Sequence, residues 1–160
     1  MDLSYIIIAI WTGTLILAAV SDLRAYRIPN ILPAILILLF GAVQMLDANA
    51  NVPWENIAHF GVTLMVGMFL FSKGWIGGGD AKLYAATALW FAVNGAAALV
   101  FFTTIAGALL AVLFIVARIA GLRKNISKGD RRIPYGVAIA VGGVLTAAFS
   151  GWSSVFANLS

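Results

Sequence analysis

Trp75-Ile76-Gly77-Gly78-Gly79-Asp80-Ala81-Lys82-Leu83 stands between two long apolar segments, and its reading decides the fold. Three glycines in a row strip the backbone of side chains, so another segment can approach closely and positive φ is open to it. Asp80 follows at once. Ala81 to Phe91 are good helix formers, which places Asp80 at or near a helix N-cap, where free N–H groups favour a carboxylate. A capping aspartate behind a bare glycine loop is the plain reading of such a stretch. A second aspartate at the same membrane depth gives it more weight.

The chain has 160 residues, of which 62% are hydrophobic and 10% charged, and its mean hydropathy is +1.02. Those values lie far outside the range of a soluble domain. The expectation is an all-α integral membrane protein with a single membrane-embedded domain over residues 1–160. The absence of cysteine excludes disulfides, thiol catalysis and a cysteine zinc site, and the lone His59 argues against a histidine metal cluster. No metal or other cofactor is expected. The net charge of +4 is read as a topology signal and not as affinity for nucleic acid. The start Met1-Asp2 has no basic region, so the first apolar segment reads as a retained span and not as a signal peptide.

Tyr5 to Val20 is an uncharged apolar run that leads into the polar stretch Ser21 to Asn30. Pro29 disfavours helix at Ile28, so this stretch reads as a loop between spans. Ile31 to Leu46 and Ile57 to Phe71 are the second and third runs, separated by a polar turn without Lys or Arg. Leu83 to Ala117 holds 35 uncharged residues. As one helix they would run roughly 52 Å against a hydrocarbon slab of ~30 Å, so Asn94-Gly95 is read as a turn that splits them. Tyr135 to about Phe156 is the last span, making about six.

Charge tests the count. With six spans and both termini outside, in the periplasm, every Lys and Arg falls on one side: Arg24, Arg27, Lys73, Lys82, Arg118, Arg123, Lys124, Lys128, Arg131 and Arg132. That side is then cytoplasmic. The basic loop Arg118 to Arg132 is chiefly a topology determinant with anionic lipid as its second use, and His59 reads as a boundary residue on the opposite side.

Asp22 closes the first span and Asp80 opens the fourth from the same side. Asp130, among Lys128, Arg131 and Arg132, reads as a solvated counter-charge. Acids at a membrane boundary are costly and tend to be functional. Two close carboxylates in a low-dielectric site cannot both ionise easily and can share a proton. One then takes a proton from water attacking a peptide carbonyl, while the other hydrogen-bonds the carbonyl oxygen and protonates the leaving amine. The helix start and Lys82 favour Asp80 as the base, but the residues leave the assignment open. Two non-protease readings also stand: a proton- or ion-coupled carrier, and an assembly subunit of a pilus or secretion machine.

Gly77-Gly78-Gly79-Asp80 resembles the Gly-x-Gly-Asp motif of intramembrane aspartyl proteases. Asp22 with Arg27-Ile28-Pro29-Asn30 is similar to the first-aspartate motif of bacterial prepilin peptidases, and Ile133 to Ala140 to the entry of that family's last helix. The resemblance implies an inner-membrane peptidase with its active site facing the cytoplasm, cutting basic leaders from type IV prepilin or pseudopilin proteins after a glycine. It implies Asp22 and Asp80 as the catalytic pair. The large bifunctional members carry a cysteine-bearing cytoplasmic loop and methylate the new N-terminus; this chain has neither loop nor cysteine, so methyltransferase activity is not expected. Its size resembles the short branch serving tight-adherence (Flp) pili, though a preflagellin-type peptidase fits the same motifs.

Around the pair, Gly77, Gly78 and Gly79 are candidates to lie against an extended substrate, since a peptide must leave its helix before it can be cut. A glycine loop of this kind is expected to be mobile at rest and ordered by substrate. Lys82, Asn30, Tyr135 and Gly136 complete the substrate-binding candidates, with interfacial snorkelling, helix initiation and membrane anchoring as the plain readings of the first three. The partners expected are the prepilin and the lipid bilayer; the oligomeric state is open.

Overall fold

Apolar runs become helices here, and the breaks fall where proline, glycine and asparagine stand. The computed structural model describes residues 3–46, 53–120 and 133–152. Its helices are α1 (Leu3–Ala25), α2 (Ile31–Leu46), α3 (Trp54–Ser72), α4 (Gly78–Ala88), α5 (Ala96–Ile119) and α6 (Tyr135–Ser150), with a 3-10 turn at Val93–Gly95. Among the described residues the protein is all-α with these six helices, as its sequence predicts. Three elements, Leu3–Ala25, Trp54–Ser72 and Val93–Ile119, are long and apolar enough to cross a membrane.

The break at Asn94-Gly95 is borne out by the 3-10 turn. Two boundaries differ from expectation, the ends of α1 and α6. The α1 helix runs through Ser21 and Asp22 to Ala25, because no breaker precedes Pro29 and Arg24 suits the negative end of the helix dipole. The chain turns at Tyr26, which takes φ +49°, while the Ser21 hydroxyl donates to the Arg27 carbonyl at 2.8 Å. Asp22 is therefore a helical residue and not part of a loop. The last helix stops at Ser150, where Gly151 takes φ +81°. Most of the basic loop, residues 121–132, and the tail beyond residue 152 lie outside the described residues.

The organisation is inside-out relative to hydropathy. The α4 helix is rich in Ala, Gly and Thr and is the most enclosed, with Ala81, Leu83 and every residue from Ala85 to Phe91 buried. By contrast α3 buries only His59 and Gly67, and α5 only Leu99 and Gly107, leaving large apolar side chains outward as lipid requires. Small residues set the approaches: a Cβ on Gly67 would lie 3.0 Å from that of Ala81, and one on Gly143 would lie 2.9 Å from Thr87 Cγ2. The α5 helix packs antiparallel on α6, with Gly107 under the Tyr135 ring.

At 11 residues, α4 is only about 16 Å long, so its terminal carbonyls would be orphaned in an apolar interior. Backbone N–H groups of Leu89, Trp90 and Phe91 meet the carbonyls of Ala85, Thr87 and Ala88, and side chains from α3 meet two carbonyls just beyond the helix. Asn56 Nδ2 donates to the Leu89 carbonyl at 3.0 Å and His59 Nδ1 to the Phe91 carbonyl at 2.8 Å. Because a carbonyl only accepts, this bond puts the proton on Nδ1. His59 is buried in the bundle near the start of α3. Around this end Trp11 packs edge-on against Trp90, Phe91 and Trp152 with ring centres 6.2–6.4 Å apart.

Replacing His59 by Phe keeps the volume but leaves the Phe91 carbonyl unpartnered. The variant is expected to lose about 1–3 kcal/mol of stability. Thermal unfolding in detergent, with Gly41→Ala as a control where an added Cβ meets nothing within 4 Å, checks this.

Candidate active site

Asp22 projects from the last turn of α1 and is 5% exposed. Its Oδ2 accepts the backbone N–H of Gly136 at 2.6 Å. That N–H belongs to the first turn of α6, where helix geometry leaves donors without intrahelical partners. A Cβ on Gly136 would stand 2.9 Å from Asp22 Oδ2 and 2.9 Å from Ile28 Cδ1, so only glycine allows this approach.

Asp80 is the third residue of α4, whose N-cap is Gly77. Its carboxylate reaches back to accept the Gly77 backbone N–H, the return half of a capping box. The reading of Asp80 at a helix start is therefore met. Asp22 is an electrostatic neighbour of Asp80, so the ends of α1 and α4 bring two carboxylates together.

The glycines differ from the expected bare loop. Gly78 and Gly79 form the first turn of α4, and neither they nor Gly77 takes a positive φ. Each is small because something lies against it. A Cβ would meet the Phe71 ring at 3.2 Å from Gly78, Ile28 Cβ at 3.1 Å from Gly79, and Asp80 Oδ2 at 2.6 Å from Gly77. Gly77 alone is both exposed and extended, at φ −73° and ψ 143°.

Lys82 and Asn30 also meet at this end. Lys82 Nζ donates to Asn30 Oδ1 at 3.1 Å on the exposed rim, tying α4 to the start of α2. Tyr135 sets its ring against Gly107 of α5, and it is the neighbouring Gly136 backbone that reaches Asp22. All the sequence-predicted site residues thus lie around one end of the bundle. Among the described residues no group of three or more His, Asp or Glu side chains is placed to hold a metal.

Sequence reasoning missed Ile28. It is buried and pegged beneath both Gly79 and Gly136, holding α4 and α6 against the α1–α2 turn. The signal was there: one apolar residue in a polar turn, held extended by the following Pro29.

Fold and site together define an all-helical membrane protein with paired carboxylates at one end of its bundle. The chain belongs to the type IV leader peptidase family, whose model matches residues 7–112. That span contains both aspartates and stops short of Gly136. No curated protein and no solved structure matches the chain. Family membership makes it a leader-peptidase type of aspartic protease.

Gly136→Ala is expected to push the Asp22 carboxylate off its donor and lower leader cleavage at least tenfold, since displacements near 1 Å cost up to ~100-fold. Gly78→Ala, opposed only by a ring that can swing, is expected to lose less. Cleavage at matched expression orders the two.

Proposed function

We propose that the protein is a membrane aspartyl endopeptidase that removes the short basic leader from type IV prepilin-like proteins. The Flp-type prepilins are its substrates, and the cut falls after a glycine on the cytoplasmic side. The observation that carries this reading is the convergence of Asp22 and Asp80 from separate helices, each holding one backbone N–H. Family membership favours it over a carrier or an assembly subunit.

In this mechanism Asp80, at the start of α4, takes a proton from the attacking water. The water oxygen bonds to the scissile carbonyl carbon. Asp22, enclosed by α6, hydrogen-bonds the carbonyl oxygen and then protonates the departing amine. Gly77 offers an open, extended backbone beside Asp80 for an unwound substrate segment. Lys82 and Asn30 form the rim, and Gly136 fixes Asp22.

The length of α5 bears on where the cut is made. From Gly107, level with the start of α6, it runs to Ile119 with Leu109, Val112, Leu113, Ile115 and Val116 exposed. Those 12 residues rise about 18 Å. This apolar stretch carries α5 past the level of the carboxylates toward Arg118.

Asp22→Asn and Asp80→Asn are each expected to abolish leader cleavage of a co-expressed prepilin by gel shift, with wild type active and expression matched. Cleavage surviving in both variants rejects the mechanism. The chain has no cysteine, so single-cysteine variants need no background removal. A charged maleimide is expected to spare Val112→Cys and label Arg118→Cys; labelling of both would place the site at the surface.

A further inference from the structure

Tyr84 carries a buried hydroxyl that has no hydrogen-bond partner among the described residues. It lies on α4 one turn after Asp80, about 40° around the helix from it. Long aromatic side chains on a helix lean toward its N-terminus, so Tyr84 leans toward the turn that holds the carboxylate.

The contacts of α4 identify the side on which this stripe lies. Gly78 and Ala81 face α3 through Phe71 and Gly67, while Gly79 and Lys82 face Ile28 and Asn30. Thr87 faces Gly143 of α6. Asp80 and Tyr84 fall between the α3 side and the α6 side. There α3 packs on α4 and on the 3-10 turn but makes no extended contact with α5 or α6. The stripe therefore lies on the side of α4 between its α3 and α6 contacts, with the 3-10 turn packed on α3 at the aromatic end.

Three donors near the carboxylates are engaged within the protein. Gly136 N–H serves Asp22, Gly77 N–H serves Asp80, and Lys82 serves Asn30. A substrate helix that opens for cleavage frees backbone carbonyls, and in apolar surroundings each needs a donor. Resting on the peptidase reading above, we infer that the Tyr84 hydroxyl donates to a carbonyl of the substrate's unwound segment beside Asp80. Tyr84 is thus a substrate-binding residue for an apolar helical peptide entering between α3 and α6. An unpartnered buried hydroxyl works against the resting fold, and substrate supplies what it lacks.

The test compares purified wild type, Tyr84→Phe and Thr103→Val on a prepilin substrate, with thermal unfolding of each. Thr103 is the control, because its hydroxyl is also buried and unpartnered but lies against Gly142 in the α5–α6 contact. The segment is unwound in both the bound and the transition state, so loss of the bond weakens both equally. Tyr84→Phe is expected to raise KM about five- to tenfold with kcat within twofold and Tm unchanged or higher. Thr103→Val is expected to leave KM unchanged. An unchanged KM in Tyr84→Phe overturns the inference alone, whatever kcat does. An equal KM rise in Thr103→Val, or a lowered Tm in Tyr84→Phe, overturns it as a structural effect. Wild type that cuts no prepilin overturns the peptidase reading and this inference with it.

Discussion

A helix of 11 residues enclosed by apolar neighbours cannot leave its terminal backbone groups to water, and this constraint shapes the bundle around α4. Its last carbonyls are met by the backbone of the following turn, the Leu89 and Phe91 carbonyls just beyond by Asn56 and His59 from α3, and Trp90 donates to the Leu36 carbonyl at 3.2 Å, joining the same end to α2. At its first turn the donors point outward, and Asp80 folds back onto one of them. The two ends therefore have different chemistry. One is closed by side-chain caps and stacked aromatics, and the other carries a carboxylate.

The second carboxylate arrives by close backbone approach. Gly136 brings the start of α6 to Asp22, and Gly79 brings the start of α4 onto Ile28. Ile28 contacts both, so one side chain in the α1–α2 turn sets the spacing of three helix ends. Such a site tolerates little change in volume, because backbone cannot swing aside as a long side chain can. Glycine here serves proximity, not unusual dihedrals: the positive-φ glycines, Gly74 and Gly151, lie elsewhere.

Much of this was legible along the chain. Hydrophobic runs and their breakers placed the helices, and the break at Asn94-Gly95 followed from excess length, an Asn-Gly turn signal and the segregation of charge. Asp22 and Asp80 stood out as acids beside apolar segments. What escaped notice were residues whose importance depends on a distant partner. His59 looked peripheral until a carbonyl 32 positions away required it. Tyr84 read as one aromatic in a helix until its hydroxyl proved enclosed and unmatched. The glycines suggested a loop, because one sequence cannot tell a glycine that frees the backbone from one that makes room for a neighbour.

By itself the sequence determined that the chain is helical and membrane-bound, how many helices it forms, and which acids stand beside apolar segments. Those properties follow from local composition, from the length needed to cross lipid and from the cost of exposing backbone there. Only the tertiary structure decided that Asp22 is helical and bonded to Gly136, that Gly78 and Gly79 begin a helix, that Ile28 lies beside Gly79 and Gly136, and that the Tyr84 hydroxyl is enclosed. These depend on how closely helices far apart in sequence pack. That distance is set by side-chain volume on both partners at once, which no single segment contains.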